Sequence, residues 1–471
     1  MRNTYIYSYK QLQKKMEKKM GFRLSNRYVV RKDDYYNVKH SLYSIDDGNK
    51  IEINNSMFIL LSLLENNNFT INEINNYFFK LNIPPITLKD FDFLIENQII
   101  LESEEIYKTN FLDNLYLSTI ESDKIKILAK YQIPITSTPM NVEIHFTQKC
   151  NLRCSYCAYS VSENNFLELT SDIWIKTLKE FEDLRINSIV ISGGEPFLYK
   201  DFNEILLMIA KLKIRFFIFT NGLLINDNNI RLLRSKNVTI SISLDGYLKG
   251  THELFRGFNT FDKVINSIEL LGKNDVNFYI STTLNKKNIF EIEKIINIGI
   301  QNKAKSIQFG KIEQFGFGRK LSEFILDSKD IMLSKEIINN LKIKYKEQIN
   351  IDFNEDKFFD IEENDNNNLI YCSAGTHRMT ISPDGKVYPC VICFNDKKFE
   401  IGSILNDNLL DIWLNKDWNY VRNSVFLEDL TFCKSCNNNK ICLIKSCRLG
   451  AFYSESDFFG KPPFCNVNIG S

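Results

Sequence analysis

No cysteine occurs in the first 149 residues of this chain, and no surplus of either charge occurs anywhere in its total. Its 59 Lys and Arg are offset by 58 Asp and Glu, a formal charge of +1 over 471 residues. That balance excludes a global basic field for nucleic acid or an anionic membrane and leaves only local patches. The opening segment, Met1 to Met20, has no apolar stretch of the secretory type. The most apolar run, Met57 to Leu64, is too short to cross a bilayer. The expectation is therefore a cytoplasmic protein without a membrane span, in a reducing compartment where clustered cysteines signify metal rather than disulfides. Hydrophobic residues make up 44% and charged residues 25%, as in an ordinary folded protein. The length allows roughly three domains.

The 11 cysteines divide the chain into three blocks. The front block, about residues 22–105, reads as strands followed by helices. Arg27–Lys32 and Tyr35–Ile45 suggest a hairpin turning at Asp33–Asp34, and Asp46-Asp47-Gly48-Asn49 is a turn before a third strand, Lys50–Ile53. Asn55 or Ser56 is the expected cap of a helix through Phe58–Leu64. Thr70 and Glu73 have capping-box spacing for a second helix, and a third lies near Leu88–Asn97. Such a unit resembles a winged helix. Residues 106–138 read as a mainly helical connector.

From Val142 onward strand-like runs alternate with helical patterns: Val142–Phe146, Ser188–Ser192, Phe216–Thr220, Thr239–Leu244, Phe278–Thr283 and Ser306–Phe309. This predicts an α/β fold, a partial (β/α)6 TIM-like barrel over residues 139–350, whose site belongs at the strand C-termini. Asn354 to Asn368 is acidic and Asn-rich, and reads as a linker. The tail, residues 369–468, has short strands, Gly/Pro turns and eight cysteines. It has too little regular apolar periodicity for a core of its own, which metal would replace.

The middle cysteines, Cys150, Cys154 and Cys157, directly follow the first barrel strand. Three thiolates in one loop suit three irons of a four-iron cube and leave the fourth iron open to a small molecule. Zinc is the alternative; it would want a further ligand, for which His145 is a weak candidate. The second strand ends in Gly193-Gly194-Glu195-Pro196. Its glycines allow close backbone approach, and its carboxylate suits an ammonium.

These motifs together resemble the radical S-adenosylmethionine (SAM) superfamily. The resemblance implies a SAM-binding [4Fe-4S] cluster on Cys150, Cys154 and Cys157, with the SAM amino group at Gly193–Pro196. It implies further contacts at Thr220 and Asn221, at the ribose-binding stretch from Ser241 through Ser243 to Asp245, at Arg256 for the SAM carboxylate, and at Tyr156 near the adenine. The tail resembles the SPASM domain, through Cys372, the Gly385–Cys390 element, Cys433, Cys436, Cys442, Cys447 and Cys465. That implies two auxiliary [4Fe-4S] clusters. One would take Cys433, Cys436, Cys442 and Cys465; the other would take Cys372, Cys390 and Cys447, with Cys393 as a candidate fourth ligand. Two departures from the family pattern, the Cys442–Cys447 spacing and the late position of Cys393, leave an open iron or permuted ligands as alternatives. Three thiols on one cube and four on each of two others account for all 11 cysteines.

Acidic residues interleave the front block's basic ones, and no basic recognition helix is evident, which argues against DNA. The block resembles the PqqD-like leader-recognition domain, which adds a peptide to a sheet edge, here expected around residues 41–53. The whole resembles maturases of sactipeptides and related thioether peptides. Cys372-Ser-Ala-Gly-Thr-His-Arg and Phe315-Gly-Phe-Gly-Arg319 are similar to the corresponding parts of subtilosin-type thioether synthases. The implied activity is generation of a 5′-deoxyadenosyl radical that installs a thioether in a ribosomal precursor peptide carrying a leader segment. An electron donor such as flavodoxin or ferredoxin would serve it. The alternatives are a radical SAM epimerase or carbon–carbon crosslinking enzyme, a sulfatase-type maturase, and an iron–sulfur redox sensor that binds DNA.

Overall fold

A computed structural model of the chain describes residues 21–34, 39–65, 69–80, 83–84, 88–103, 128, 133, 135–159, 167–353, 369–370, 372–436, 447–462 and 465. The chain forms two compact units, Met1–Lys130 with Pro134–Thr138, and Tyr131–Ile133 with Pro139–Ser471. Among the described residues no helix is long and apolar enough to cross a membrane.

In the first unit, β1 (Gly21–Leu24) pairs antiparallel with β5 (Ile100–Ser103). A separate antiparallel sheet runs in the order β2 (Tyr28–Asp34), β3 (Lys39–Ser44), β4 (Lys50–Ile53). Three helices follow β4, at Asn55–Leu64, Ile71–Lys80 and Leu88–Glu96. Phe22, Phe58, Leu61, Phe78 and Phe91 are among the side chains that form the core. The expected strands and helices are present, with differences at their ends. Strand β2 continues through Asp33 and Asp34, and residues 35–38 lie outside the described set. The first helix is capped one residue earlier than expected, by Asn54, whose Oδ1 accepts the Met57 N–H at 2.9 Å. Thr70 and Glu73 form the reciprocal box. The β1–β5 pair was not foreseen, because each strand is four residues long and its partner is distant in sequence.

The second unit is built on one ten-stranded sheet. Its centre is a run of parallel strands in chain order: β6 (Asn141–His145), β7 (Ser188–Ser192), β8 (Arg215–Thr220), β9 (Val238–Ser243), β10 (Phe278–Leu284) and β11 (Ser306–Lys311). These are the six strands expected, within one or two residues at each end. Helices cover the sheet with one apolar face each; Ser171–Asp183 buries Trp174, Leu178 and Phe181. Trp174 meets the Phe146 ring edge-on at 4.9 Å.

A seventh parallel strand, β12 (Asn350–Phe353), extends the run beside β11. It is short and runs straight into the acidic, Asn-rich segment, which hid it in the sequence. At the other end β14 (Arg378–Ile381) pairs parallel with β6, and the turn Ser382–Gly385 sends the chain back antiparallel as β15 (Lys386–Tyr388), followed by β16 (Gly402–Ser403). The cysteine-rich tail thereby continues the barrel sheet. Short strands β13 (Leu369–Ile370) and β17 (Val425–Phe426) pair elsewhere in the tail. Residues 354–368 and nearly all of the expected helical connector lie outside the described set; the part of the connector at 135–138 is not helical.

Candidate active site

The C-terminal ends of the parallel strands open onto one cavity of about 600 Å3. Cys150, Cys154 and Cys157 line it together with Cys372, Cys390 and Cys447, although over 200 residues separate the two groups in sequence. The β6–β14 pairing explains the meeting, since it sets Cys372, six residues before β14, beside the barrel's first loop.

The cysteine loop is fixed by backbone contacts. Cys157 N–H donates to the Cys154 carbonyl, and Ser155 N–H to that of Phe255. The Gly193–Glu195 segment closes on the same loop: Gly194 N–H donates to Thr147 O at 3.0 Å and Glu195 N–H to Lys149 O at 2.8 Å. A Cβ on Gly194 would lie 2.0 Å from the Lys149 carbonyl oxygen, and one on Gly193 2.6 Å from that of Thr147. The sequence suggested glycines for approach to a ligand; the approach observed is to the cysteine loop. Gly193 also has φ of +110°, where side chains are disfavoured. Pro196 opens a short 3-10 turn behind Glu195.

Glu195 is 1% exposed. Its carboxylate accepts the Thr220 hydroxyl at 2.7 Å and the Asn221 N–H at 2.9 Å. Burial outweighs these bonds and the nearby Arg256 charge, and lifts its pKa to about 7. Asp245 is fully buried and already engaged. It accepts from Arg256 Nε at 2.5 Å, from the Tyr156 hydroxyl, and from the Thr283 N–H at 2.8 Å. Burial pushes the Asp245 pKa upward, but Arg256, His252 and Tyr156 together hold it below the ordinary carboxylate range. The Arg256 guanidinium lies over the Tyr156 ring at 5.4 Å. Asp245 thus ties Tyr156 of the cysteine loop to Arg256, and both of these line the cavity, as does Ser243.

On the tail side, Cys372 Sγ accepts the Ala374 N–H at 3.5 Å, as Cys150 Sγ accepts the Leu152 N–H at 3.4 Å. Cys390 and Cys447 accept from Ile392 and Gly450. Burial raises the thiols, Cys150 to about 11 and Cys390 and Cys447 to about 12, and mutual repulsion adds to it. Bound iron removes that penalty by neutralising the thiolates. Cys393 lies apart from the cavity wall, packed with Tyr388, Phe399 and Leu449. Cys433 and Cys436 share one turn, where Cys436 N–H reaches the Cys433 carbonyl at 3.1 Å. Thr431 N–H donates to Phe459 O and so draws the segment preceding Cys465 toward that turn. Cys442 lies outside the described residues.

Among the described residues no group of His, Cys, Asp or Glu is arranged to hold a single metal ion. His145 is taken up by Glu143 at 3.0 Å and Gln148 at 2.8 Å, which leaves it unsuited as a zinc ligand. A four-iron cube needs its thiols spread over separate irons, and the sulfur-only sets with N–H donors fit that group.

The model of the radical SAM superfamily matches residues 144–298, and that of the SPASM iron–sulfur cluster-binding domain matches 372–437. The chain thus carries a radical SAM domain and a SPASM domain over those residues. Its cofactors are SAM and [4Fe-4S] clusters. It is 26% identical to the antilisterial bacteriocin subtilosin biosynthesis protein AlbA of Bacillus subtilis, over 58% of this chain and 59% of that protein. It is 27% identical to the sporulation killing factor maturation protein SkfB of the same organism, over 58% of this chain and 64% of that protein. The match thus spans about three-fifths of these relatives. The crystal structure of Streptococcus suis SuiB bound to precursor peptide SuiA has the same fold, with TM-score 0.73 at 20% identity over 95% of this chain and 100% of that one.

The radical SAM cavity also contains residues that the motifs did not identify, among them Glu143, Tyr159, Lys311 and Glu313, and it contains Arg378, quoted in a motif but without a role. Glu143 had a legible signal, a carboxylate within a buried apolar strand. Arg378 ends the Cys372-Ser-Ala-Gly-Thr-His-Arg stretch singled out by resemblance, but its partnership with Glu143 had no signal before the β6–β14 pairing was known.

Proposed function

We propose that this protein matures a ribosomally synthesised precursor peptide, using SAM to install a thioether between a peptide cysteine and a carbon of the same peptide. The observation that carries this reading is the single cavity shared by the two cysteine sets. Cys150, Cys154 and Cys157 hold the SAM-binding cluster. Cys372, Cys390 and Cys447 hold the first auxiliary cluster, with Cys393 as a further candidate. Cys433, Cys436, Cys442 and Cys465 hold the second. When bound, the SAM-loaded cluster supplies one-electron cleavage of a sulfonium and hydrogen abstraction from an unactivated carbon. Within that reading Glu195 receives the SAM ammonium, held in place by Thr220 and Asn221. Arg256 meets the SAM carboxylate and is oriented by Asp245. Tyr156 is fixed by the same Asp245 and flanks the adenine, and Ser243 lies on the ribose side. The glycine pair holds the cysteine loop and Glu195 in register.

The names of AlbA and SkfB support a peptide substrate, and so does the first unit. Its three-stranded sheet ends in β4, where Ile51 is 38% exposed, a surface suited to an added strand of a leader peptide. A flavodoxin- or ferredoxin-type donor would supply the electrons.

The test is anaerobic incubation of the reconstituted enzyme with SAM, reductant and the small peptide encoded beside its gene. A thioether removes two hydrogens from the peptide mass and one alkylatable thiol. Loss of two hydrogens with all thiols retained would favour carbon–carbon crosslinking. Unchanged mass with an inverted residue would favour epimerisation. A peptide returned unchanged in mass and stereochemistry rejects the maturase reading.

A further inference from the structure

The wall between the two cysteine sets contains an ion pair with no place in SAM binding, its carboxylate end buried and its guanidinium end about two-fifths exposed on the cavity side. Glu143 is on β6 and Arg378 on β14, strands that pair in parallel with Glu143 opposite Thr380. Arg378 Nη2 donates to Glu143 Oε2 at 3.0 Å. The other carboxylate oxygen accepts from His145 Nε2 at 3.0 Å and the Tyr159 hydroxyl at 3.3 Å, and Ser192 donates to Tyr159 at 3.4 Å. Burial disfavours the Glu143 charge, yet His145, Arg378 and Tyr159 keep it ionised.

Arg378 faces the auxiliary thiols as well. Its N–H donates to Ser373 O at 2.9 Å, next to Cys372, and its side chain lines the cavity with Cys372 and Cys390. Its charge favours the thiolate forms of both, whereas Glu143 opposes the Cys390 thiolate. The site therefore has a cation and an anion bonded to each other, both within electrostatic reach of the Cys390 sulfur, and the cation also within reach of Cys372.

We infer that Arg378, held by Glu143, is a positioning residue that sets the reduction potential of the auxiliary cluster at Cys372, Cys390 and Cys447. One-electron reduction adds a negative charge to that cluster. A fixed neighbouring cation stabilises the reduced form, and a neighbouring anion opposes it. Arg378 thus biases this cluster toward accepting an electron, and Glu143 limits the bias and fixes the guanidinium. The inference rests on the assignment of these three cysteines as cluster ligands.

The experiment is an EPR-monitored redox titration of the anaerobically reconstituted full chain, with dithionite as reductant and dye mediators. The SAM cluster is recognised by its spectral change on adding SAM. The signal of the first auxiliary cluster is recognised by its loss in Cys372→Ala. If Cys372→Ala removes no signal, the ligand assignment fails. With the assignment intact, Arg378→Gln shifts the auxiliary potential to more negative values and Glu143→Gln to more positive ones. Arg378→Lys, which keeps the charge, stays closer to wild type than Arg378→Gln does, and the SAM cluster potential holds in every variant. The opposite signs separate an electrostatic role from a purely structural one. Should Arg378→Gln fail to fold, Arg378→Lys and Glu143→Gln still decide the matter. An auxiliary potential that does not move, moves the same way in both charge-removing variants, or moves together with that of the SAM cluster overturns the inference.

Discussion

Glu195 should make SAM binding depend on pH in a range where few other groups in the cavity titrate. Its pKa of about 7 belongs to the protein without SAM and arises from burial. A ligand ammonium needs the ionised carboxylate, so affinity should fall as pH drops below about 7. Arg256 opposes the shift, while a Cys150 thiolate and Glu195 repel each other. His252, pushed down to about 4 by burial, remains neutral in this window. An α-ammonium titrates near about 8 and stays charged there. From about pH 6.5 to about pH 5.5 the ionised fraction of such a carboxyl, and with it SAM affinity, should fall about eightfold. Glu195→Gln should remove this slope and weaken binding at higher pH by about 1.5–3 kcal/mol, roughly ten- to a hundredfold, the range for a charge-assisted hydrogen bond. Equilibrium dialysis of radiolabelled SAM against the reconstituted enzyme reads both effects. Affinity that is flat across that interval, or a slope that persists in Glu195→Gln, refutes the assignment of Glu195 to the ammonium.

Gly194→Ala places a Cβ 2.0 Å from the Lys149 carbonyl oxygen, with backbone on both sides of the clash. The cysteine loop must move, at a cost of about 1–3 kcal/mol, and iron analysis should show loss of about four irons, those of the SAM cluster. Asp245→Asn removes the charge facing Arg256 in a pair whose carboxylate is fully buried and whose guanidinium is 12% exposed, and thermal denaturation should report a loss of about 3 kcal/mol. Cys436→Ala should leave much of the deoxyadenosine release intact while blocking the finished peptide, as chromatography and mass spectrometry of one reaction would show. Ile51→Lys on β4 should weaken precursor binding, measured by fluorescence polarisation, without changing SAM affinity.

Much of the barrel was legible because its parallel strands carry apolar runs, such as Ile189–Ile191 and Phe216–Phe219, separated by helices with one apolar face. The cysteine spacings and the Gly193–Pro196 segment were equally visible, because each is a local device. What the sequence hid was pairing at a distance. The β1–β5 ladder, the β12 edge and the β6–β14 junction join short strands far apart in the chain, and no local pattern encodes a partner. The junction brings Arg378 onto Glu143, so the polar wall of the cavity followed only from three-dimensional structure. The glycine pair was legible as a close approach, but not as an approach to the cysteine loop. Asp245 read as a ligand residue, and the structure shows its oxygens engaged by Arg256, Tyr156 and Thr283.

The most direct test of the account is spectroscopy of the anaerobically reconstituted chain before and after addition of SAM, alongside Cys154→Ala. The account predicts about twelve irons in three four-iron clusters, one reduced-cluster signal that changes with SAM, and deoxyadenosine release. The Cys154 variant should lose both the SAM-responsive signal and the release. Zinc in place of iron, or a wild-type spectrum indifferent to SAM under strong reductant, would contradict it.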